Sequence, residues 1–384
     1  MAIEAVDPRA RGLRNRSLDE GQGIVELTRR LDWVLIAAAV GALAFGLWSI
    51  GGITQHDPGG SAAPRQAVYA AAGSVVLIAA FLIEPSVYRR FWKAIYVGLC
   101  GMMGVVLLAG AATRGSKRWI DIGFFTFQPS EFGKVLLTLA LGGFLAGHAR
   151  EVTRLTVPLK TILLAAGPIG LVFLQPDVGT ALVYTAVLIA VLFVAGVRWL
   201  HLALFTGIGI LLVLSVLWWL PAAGVQVLKP YQTARLTETN SYNLTESKIA
   251  VGSGGIRGRG VQGATQTALD YLPAHATDFA FASVAEQRGF VGASVLLLLY
   301  LLVVWRGLKI VTTASDLYGA IVAAGIVFAF LFQVFVNVGM TMGIAPITGI
   351  PLPFVSVGGS SMISNLAGIG VLLGIHARGG RRRV

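Results

Sequence analysis

The residues best suited to chemistry lie in one polar stretch, from Lys229 to Gly292, of an otherwise apolar sequence. Loops of this length are usually either functional or disordered. A carboxylate beside apolar side chains can act as a general acid or base, and cations can stabilise a phosphate that gains charge during a reaction. The stretch holds both kinds of group: Arg235, Lys248, Arg257, Arg259 and Asp278. It therefore predicts proton transfer on an anionic substrate.

A second basic cluster comes earlier in the chain. Arg114, Lys117 and Arg118 are followed directly by Trp119. Cations and tryptophan can simply anchor a protein at a membrane interface. Three cations close together can also bind an anionic ligand such as a lipid phosphate, and the pattern leaves both interpretations open.

Glu131 and Lys134 are three residues apart, so they share one face of a predicted helix and can form an ion pair. In a structural interpretation, the acid favours the helix N-terminus and the lysine extends toward the interface. In a functional interpretation, the pair lines the entrance of a cavity.

Other polar residues have structural explanations of similar weight. Asp177 can cap a helix that starts near Gly179. The segment Ser283-Val-Ala-Glu286 fits a capping box at the start of the next span, and Asp278 could be only a turn residue.

The glycine-rich run from Gly252 to Gly263 contains a G-x-G-x-x-G pattern that begins at Gly258. A dinucleotide site of this type needs a strand before the motif and a helix after it. We reject that interpretation, because the run is predicted to lie outside the membrane, away from nucleotides. Two alternatives remain, a flexible loop or a close approach of the backbone to a ligand or membrane surface.

Composition indicates a polytopic membrane protein. The 384 residues are 55% hydrophobic and 12% charged, whereas soluble domains contain about 25% charged residues. The net charge of +12 would suggest nucleic acid in a soluble protein. Here the cations lie in short loops beside apolar runs, so we exclude a nucleic-acid partner. The single cysteine, Cys100, excludes an intrachain disulfide, and the histidines show no metal-ligand spacing.

The predicted fold is an all-α integral membrane protein with about ten transmembrane helices. Each span needs about 20 apolar residues, and the candidate segments are 31–50, 67–84, 94–112, 131–147, 158–174, 178–196, 200–220, 283–305, 317–341 and 360–377. Most cations outside these spans lie on the side that holds both termini, which we therefore predict to be cytoplasmic. The loop of about 221–282, between spans seven and eight, is then extracytoplasmic. Residues 1–30 are expected to be a disordered cytoplasmic tail without signal-peptide features, and 378–384 a basic cytoplasmic tail.

Several motifs, in order between residues 31 and 377, resemble those of the SEDS family (shape, elongation, division and sporulation) of polytopic membrane proteins. The opening Leu31-Asp-Trp-Val and the stretch Thr265-Gln-Thr267 are more similar to the elongation members than to the division members. The other matching segments are RGSKRWI at 114–120, QPSEFGK at 128–134, QPDVGTAL at 175–182, PYQTARL at 230–236, TDF at 277–279, NVGM at 337–340, and PITGIPLPFVS at 346–356 with the Gly-Gly-Ser-Ser that ends at 361.

The resemblance implies a glycosyltransferase of the bacterial cytoplasmic membrane. Such enzymes polymerise lipid II into peptidoglycan on the outer face, release undecaprenyl diphosphate, and act with a class B penicillin-binding protein as transpeptidase partner. The resemblance assigns the essential loop aspartate to Asp278 and a charged pair to Glu131 and Lys134. We further expect substrate contacts from Lys117, Arg118, Glu131, Lys134, Arg235, Lys248, Arg259 and Ser360. A divalent cation, Mg²⁺ or Mn²⁺, could assist, and no other cofactor is expected.

The chain departs from the family pattern around the aspartate. The family usually reads Leu-Pro-Glu-x-His-Thr-Asp-Phe, whereas this chain has Ala274 and Ala276 at the glutamate and histidine positions, with His275 one place early. Arg259 replaces a lysine and keeps its charge.

Two alternatives to a polymerase are a lipid II flippase and a scaffold for the transpeptidase. The enzyme is favoured, because a transporter should place its polar residues near the bilayer midplane rather than in an outer loop.

Overall fold

The computed structural model describes residues 29–55, 57, 59–109, 111–113, 116–121, 123, 126–224 and 241–379. It is mostly helical, as predicted. The long helices are α1 (Trp33–Ile53), α2 (Ala63–Leu82), α4 (Trp92–Ala109), α5 (Pro129–Gly147), α6 (Thr156–Leu174), α7 (Val178–Val194), α8 (Trp199–Leu214), α13 (Ala280–Thr313), α14 (Leu317–Met342) and α15 (Gly359–Gly379). The shorter elements are α3 (Pro85–Arg90), a 3₁₀ turn (Ala149–Glu151), a π-helical turn (Ser215–Trp219), α9 (Leu220–Ala222), α10 (Tyr242–Ser253), α11 (Gly260–Gly263) and α12 (Thr265–Ala268).

A helix occupies each of the ten predicted spans. In the described part of the chain, seven helices are long and apolar enough to cross a membrane, namely α1, α2, α5, α6, α13, α14 and α15. Three more apolar stretches are shorter, namely Trp92–Leu108 in α4, Val178–Val194 in α7 and Trp199–Leu214 in α8. The count of ten spans and both cytoplasmic termini therefore stay predictions. Almost all of the predicted N-terminal tail lies outside the described residues.

The centre of the bundle is built from α5, α14 and α15. In the 18-residue apolar stretch of each of these helices, 72%, 72% and 78% of the residues are buried, compared with 33% in α2 and 28% in α13. Small residues allow close packing there, as is common in membrane proteins. A Cβ added at Gly370 of α15 would lie 2.3 Å from the Leu77 carbonyl of α2. The peripheral helices expose apolar side chains, as expected for a surface in contact with lipid.

One departure from the all-α prediction follows α4. Three short strands form a small antiparallel sheet, β1 (Ala111–Thr113), β2 (Ser116–Asp121) and β3 (Thr126–Phe127), in the order β1-β2-β3. Trp119 pairs with Ala111, and Ile120 pairs with Phe127. The sequence of β2, Ser-Lys-Arg-Trp-Ile-Asp, does not alternate between polar and apolar residues, so it lacks the usual local signal of a strand.

The glycine-rich run packs against a break in α13. Gly289 has φ 68° and ψ −167°, so the helix is interrupted there. The N–H groups of Phe290 and Val291 instead donate to the carbonyls of Gly255 and Ile256, at 2.8 and 3.1 Å. A Cβ on Gly258 would lie 2.3 Å from the Gln287 carbonyl. The run therefore makes a close backbone approach to α13, a contact that neither alternative from the sequence included.

Candidate functional site

Asp278 is half-buried and lies in the turn that leads into α13. The backbone around it is held at four consecutive carbonyls, those of residues 275–278. The donors, in the same order, are Ser283 Oγ of α13, the Val357 N–H, Ser356 Oγ and Asn337 Nδ2 of α14. Phe279, the next residue, is buried in a small apolar core with Leu272 and Leu244. The turn is thus fixed by the start of α13, which follows it directly, and by α14 and residues 356–357, which are distant in sequence.

Asn337 makes the contact closest to the aspartate. Its Nδ2 donates to the Asp278 carbonyl at 2.9 Å and to the Ile350 carbonyl at 2.8 Å. Both partners are carbonyl oxygens, which only accept hydrogen bonds. The NH₂ group of the Asn337 amide must therefore face them. Asn337 is fully buried, and the loss of its amide would leave two buried acceptors without their partner.

Residues 343–358, which we call the strap, connect α14 to α15 and tie this turn to the rest of the site. Ser356 of the strap donates to the Thr277 carbonyl, and its own carbonyl accepts from Gln66 Nε2 at 3.2 Å. Just after the strap, Ser360 Oγ accepts the Gln128 N–H at 2.9 Å. One turn later, Ser364 Oγ donates to the Glu131 carbonyl at 2.7 Å. The start of α15 therefore connects the Asp278 turn to the start of α5.

Glu131 and Lys134 form a buried ion pair in the first turns of α5. Lys134 Nζ lies 2.6 Å from Glu131 Oε2, and the residues are 3% and 2% exposed. The lysine does not extend to an interface; it lines a cavity of about 20 Å³ together with Gln333, Ser364 and Asn365. That volume holds about one water molecule. The pair is therefore internal to the bundle.

Asp177 lies at the centre of a polar network that our sequence reasoning did not include among the site residues. It caps α7 as predicted, accepting the Thr180 N–H at 3.1 Å. It also accepts from Gln128 Nε2 at 3.1 Å and from Ser130 Oγ at 3.5 Å. Arg118 approaches the same carboxylate at 3.7 Å. The motifs that contain Arg118, Gln128 and Asp177 are separate in sequence, so a single-sequence reading gave no signal that they meet.

The structure does not bring all of the predicted basic residues together at one site. Lys248 is exposed, and a Cβ on Gly343 would lie 2.4 Å from its Cε, so its stem packs on the strap. Arg259 is exposed and its Nε donates to the Ser253 carbonyl at 2.9 Å. Lys117 lies in β2, but its side chain is outside the described part of the structure, as is the whole of Arg235.

The predicted capping box at Ser283 and Glu286 is wrong. Helix α13 already begins at Ala280, so both residues lie inside it. The fully buried Glu286 carboxylate instead accepts the N–H groups of Gln266 and Thr267, at 2.9 and 3.0 Å. It therefore holds the start of α12, and through it the segment that leads to Asp278.

A divalent cation gains no support from these positions. Among the described residues, no group of three or more histidine, cysteine, aspartate or glutamate side chains could hold a metal ion.

The chain is similar to known proteins over almost its whole length. Residues 30–379 match the model of a family of cell cycle proteins that includes FtsW, RodA and SpoVE. The Escherichia coli peptidoglycan glycosyltransferase MrdB is 35% identical over 315 residues, covering 80% of this chain and 83% of MrdB. The probable peptidoglycan glycosyltransferase FtsW of Thioalkalivibrio sulfidiphilus is 35% identical, covering 93% and 92%.

A solved structure has the same fold. It comes from a peptidoglycan synthase complex described as coordinating polymerization and crosslinking. The matching chain is 30% identical, with a TM-score of 0.78, and the match covers 91% of this chain and 99% of that one.

Proposed function

Because the chain belongs to the family of cell cycle proteins that includes FtsW, RodA and SpoVE, we propose that it is a peptidoglycan glycosyltransferase. Its substrate is lipid II, its product is a glycan strand, and its leaving group is undecaprenyl diphosphate. The observation that carries the site assignment is the half-buried Asp278 on a turn whose four carbonyls are all held by hydrogen bonds. A catalytic base has to be held in a fixed position to be effective.

In the proposed reaction, Asp278 acts as general base on the 4-hydroxyl of the acceptor sugar. The hydroxyl oxygen forms a bond to the anomeric carbon of the donor as the bond from that carbon to the diphosphate breaks. The proton moves to the aspartate, and the electron pair leaves with the diphosphate. An α-linked diphosphate gives a β-linkage in one inverting step, so one base suffices. A positioned base contributes roughly 10²–10⁴-fold to such a rate.

The leaving diphosphate needs positive charge, because cations stabilise the charge that develops on it. We assign this task to Arg118, Arg235, Lys248 and Arg259, with Lys117 beside them. Arg118 is fixed by Asp177, which supports a preorganised role. Lys248 and Arg259 are exposed and accessible to a ligand. Glu131, Lys134 and Ser360 order the wall between α5 and α15 rather than contacting the phosphate directly.

The proposed location is the cytoplasmic membrane of a bacterium, with both termini in the cytoplasm and the Asp278 turn outside. A class B penicillin-binding protein is the proposed partner, supported by the similarity to the chain of a complex that coordinates polymerization and crosslinking. Relatives of comparable identity carry the names MrdB and FtsW. We propose the elongation role on the basis of the Leu31-Asp-Trp-Val opening and the Thr265-Gln-Thr267 stretch.

A flippase has less support. The cavity beside Lys134, inside the bundle, has a volume of about 20 Å³, which holds about one water molecule. Lys248 and Arg259, which we assign to the substrate, are exposed residues of the loop that leads to Asp278.

The test is polymer formation by the purified protein with lipid II in detergent, where no gradient or compartment exists. We expect glycan strands, detected by gel separation of labelled product. In proteoliposomes, movement of labelled lipid II across the bilayer without any polymer would support the flippase and contradict this proposal.

A further inference from the structure

The imidazole ring of His275 lies between two carboxylates from different parts of the fold. Its Nε2 is 3.1 Å from Asp57 Oδ1, and its Nδ1 is 3.2 Å from Asp270 Oδ1. Nδ1 is also 3.2 Å from the Leu272 carbonyl. Asp57 belongs to the turn between α1 and α2, 218 residues away in sequence. The ring therefore joins that turn to the segment that carries Asp278.

The contacts on both sides of the ring are acceptors. Carboxylate and carbonyl oxygens accept hydrogen bonds and do not donate them. A neutral imidazole donates from one nitrogen only, whereas the protonated ring donates from both. The protonated ring thus satisfies Asp57 and Asp270 together, and the neutral ring leaves one carboxylate facing a lone pair.

His275 is also close in sequence to the proposed base. The four backbone carbonyls of residues 275–278 bind the turn to α13, α14 and the strap. The side chain of His275 adds a further anchor, on the α1–α2 turn. Since His275 is 8% exposed, its ring is held inside the structure, where a change in its contacts is transmitted to the backbone.

We propose that His275 is a positioning residue, which fixes the Asp278 turn against the α1–α2 turn through a clasp formed by Asp57, His275 and Asp270. The inference rests on the proposed role of Asp278 as general base. The clasp forms part of the wall of a cavity of about 780 Å³, which Arg65 also lines. The side chains of Asp57 and Asp270 are 32% and 79% exposed, so solvent reaches the clasp.

The clasp predicts which kinetic constant depends on His275. The charged groups that face the ring are Asp57 and Asp270, and Arg65 lies on the same cavity wall. Because the clasp fixes the turn that carries the proposed base, its loss should lower kcat more than it raises KM for lipid II.

The test uses the full-length protein in detergent and the variant His275→Gln. Glutamine is uncharged and cannot donate on both sides of the ring position. We expect faster hydrogen exchange in residues 272–279 and a several-fold lower kcat, with a smaller change in KM. The arginine in His275→Arg is charged and has several donors, so this variant should restore most of the rate. Asp57→Asn should reproduce the exchange result if His275→Gln fails to fold.

The matched control is His148→Gln, the same substitution at the end of α5, where His148 Nδ1 lies 2.9 Å from the Phe144 carbonyl. It should change neither the exchange of residues 272–279 nor kcat. Unaltered exchange and an unaltered kcat in a folded His275→Gln protein would overturn the clasp.

The exchange measurement is repeated in an Asp278→Asn background, to separate this inference from the proposed base. If Asp278→Asn polymerises lipid II normally, the general-base proposal fails. Faster exchange caused by His275→Gln in that same background still supports the clasp, and its absence contradicts it.

Discussion

At the scale of residues, the pair of Glu131 and Lys134 is the clearest case in which stability and function must be separated. Both side chains are almost completely buried, and they contact each other at 2.6 Å. Removing one member of a buried pair leaves an uncompensated charge, which costs about 3–5 kcal/mol. Loss of activity after one such change therefore says little about the substrate.

A double substitution resolves this problem. We predict that Glu131→Gln and Lys134→Met each lower the free energy of unfolding by about 3–5 kcal/mol, and that the double variant recovers a large part of the loss. If the pair orders the site only through its packing, polymerase activity recovers with stability, as a thermal melt and a lipid II assay on the same samples will show. A stable double variant without activity would instead assign the charges to substrate binding.

At the scale of elements, the break in α13 determines where the loop before Asp278 can lie. Gly258 and Gly289 both have positive φ, and a Cβ on either would lie 2.3 or 2.2 Å from backbone atoms. Neither contact can be relieved by a rotation of a side chain. The glycines are needed because two backbones meet there, and the pairing sets the path of the chain toward α12 and the Asp278 turn.

We predict that Gly258→Ala and Gly289→Ala each destabilise the protein by at least about 1–3 kcal/mol, the usual range for overpacking. Both should also lower polymerase activity, because the loop would be displaced from α13. The matched control is Gly252→Ala in α10, where an added Cβ meets nothing within 4 Å. Melting temperatures of the three variants in one detergent will test this, and equal stability of all three would contradict it.

For the whole molecule, composition and charge predict the membrane topology. Seven of the described helices are long and apolar enough to span a membrane, and three more apolar helices are shorter. The distribution of cations predicts that both termini lie in the cytoplasm. In that arrangement α10, in the loop before Asp278, lies on the extracytoplasmic side of the membrane.

Cysteine labelling tests the topology directly. In a Cys100→Ala background, we predict that Glu246→Cys in α10 reacts with a membrane-impermeant maleimide in whole spheroplasts. Arg150→Cys, in the turn between α5 and α6, should react only after the membrane is opened. The reverse pattern would place the site in the cytoplasm and would contradict a polymerase that acts on the outer face.

The helices could be located from the sequence because apolar runs of spanning length are a strong local signal. The cap at Asp177 was also predictable, since it depends on neighbours only three residues away. The strands at 111–127 and the position of Glu286 were not, because they depend on pairing and on contacts with residues distant in sequence. For the same reason, the sequence singled out Asp278 but gave no indication that Asn337, Ser356 and Val357 hold its turn.

Polymer synthesis by purified Asp278→Asn tests directly whether Asp278 is the base of a lipid II polymerase. Asparagine has a similar shape but cannot accept the proton. Glu246→Gln, a neutralised carboxylate in the same loop, is the control, and equal melting temperatures establish that both proteins are folded. We predict a loss of roughly 10²–10⁴-fold for Asp278→Asn and normal synthesis for Glu246→Gln. Normal polymer synthesis by a folded Asp278→Asn protein would contradict the account.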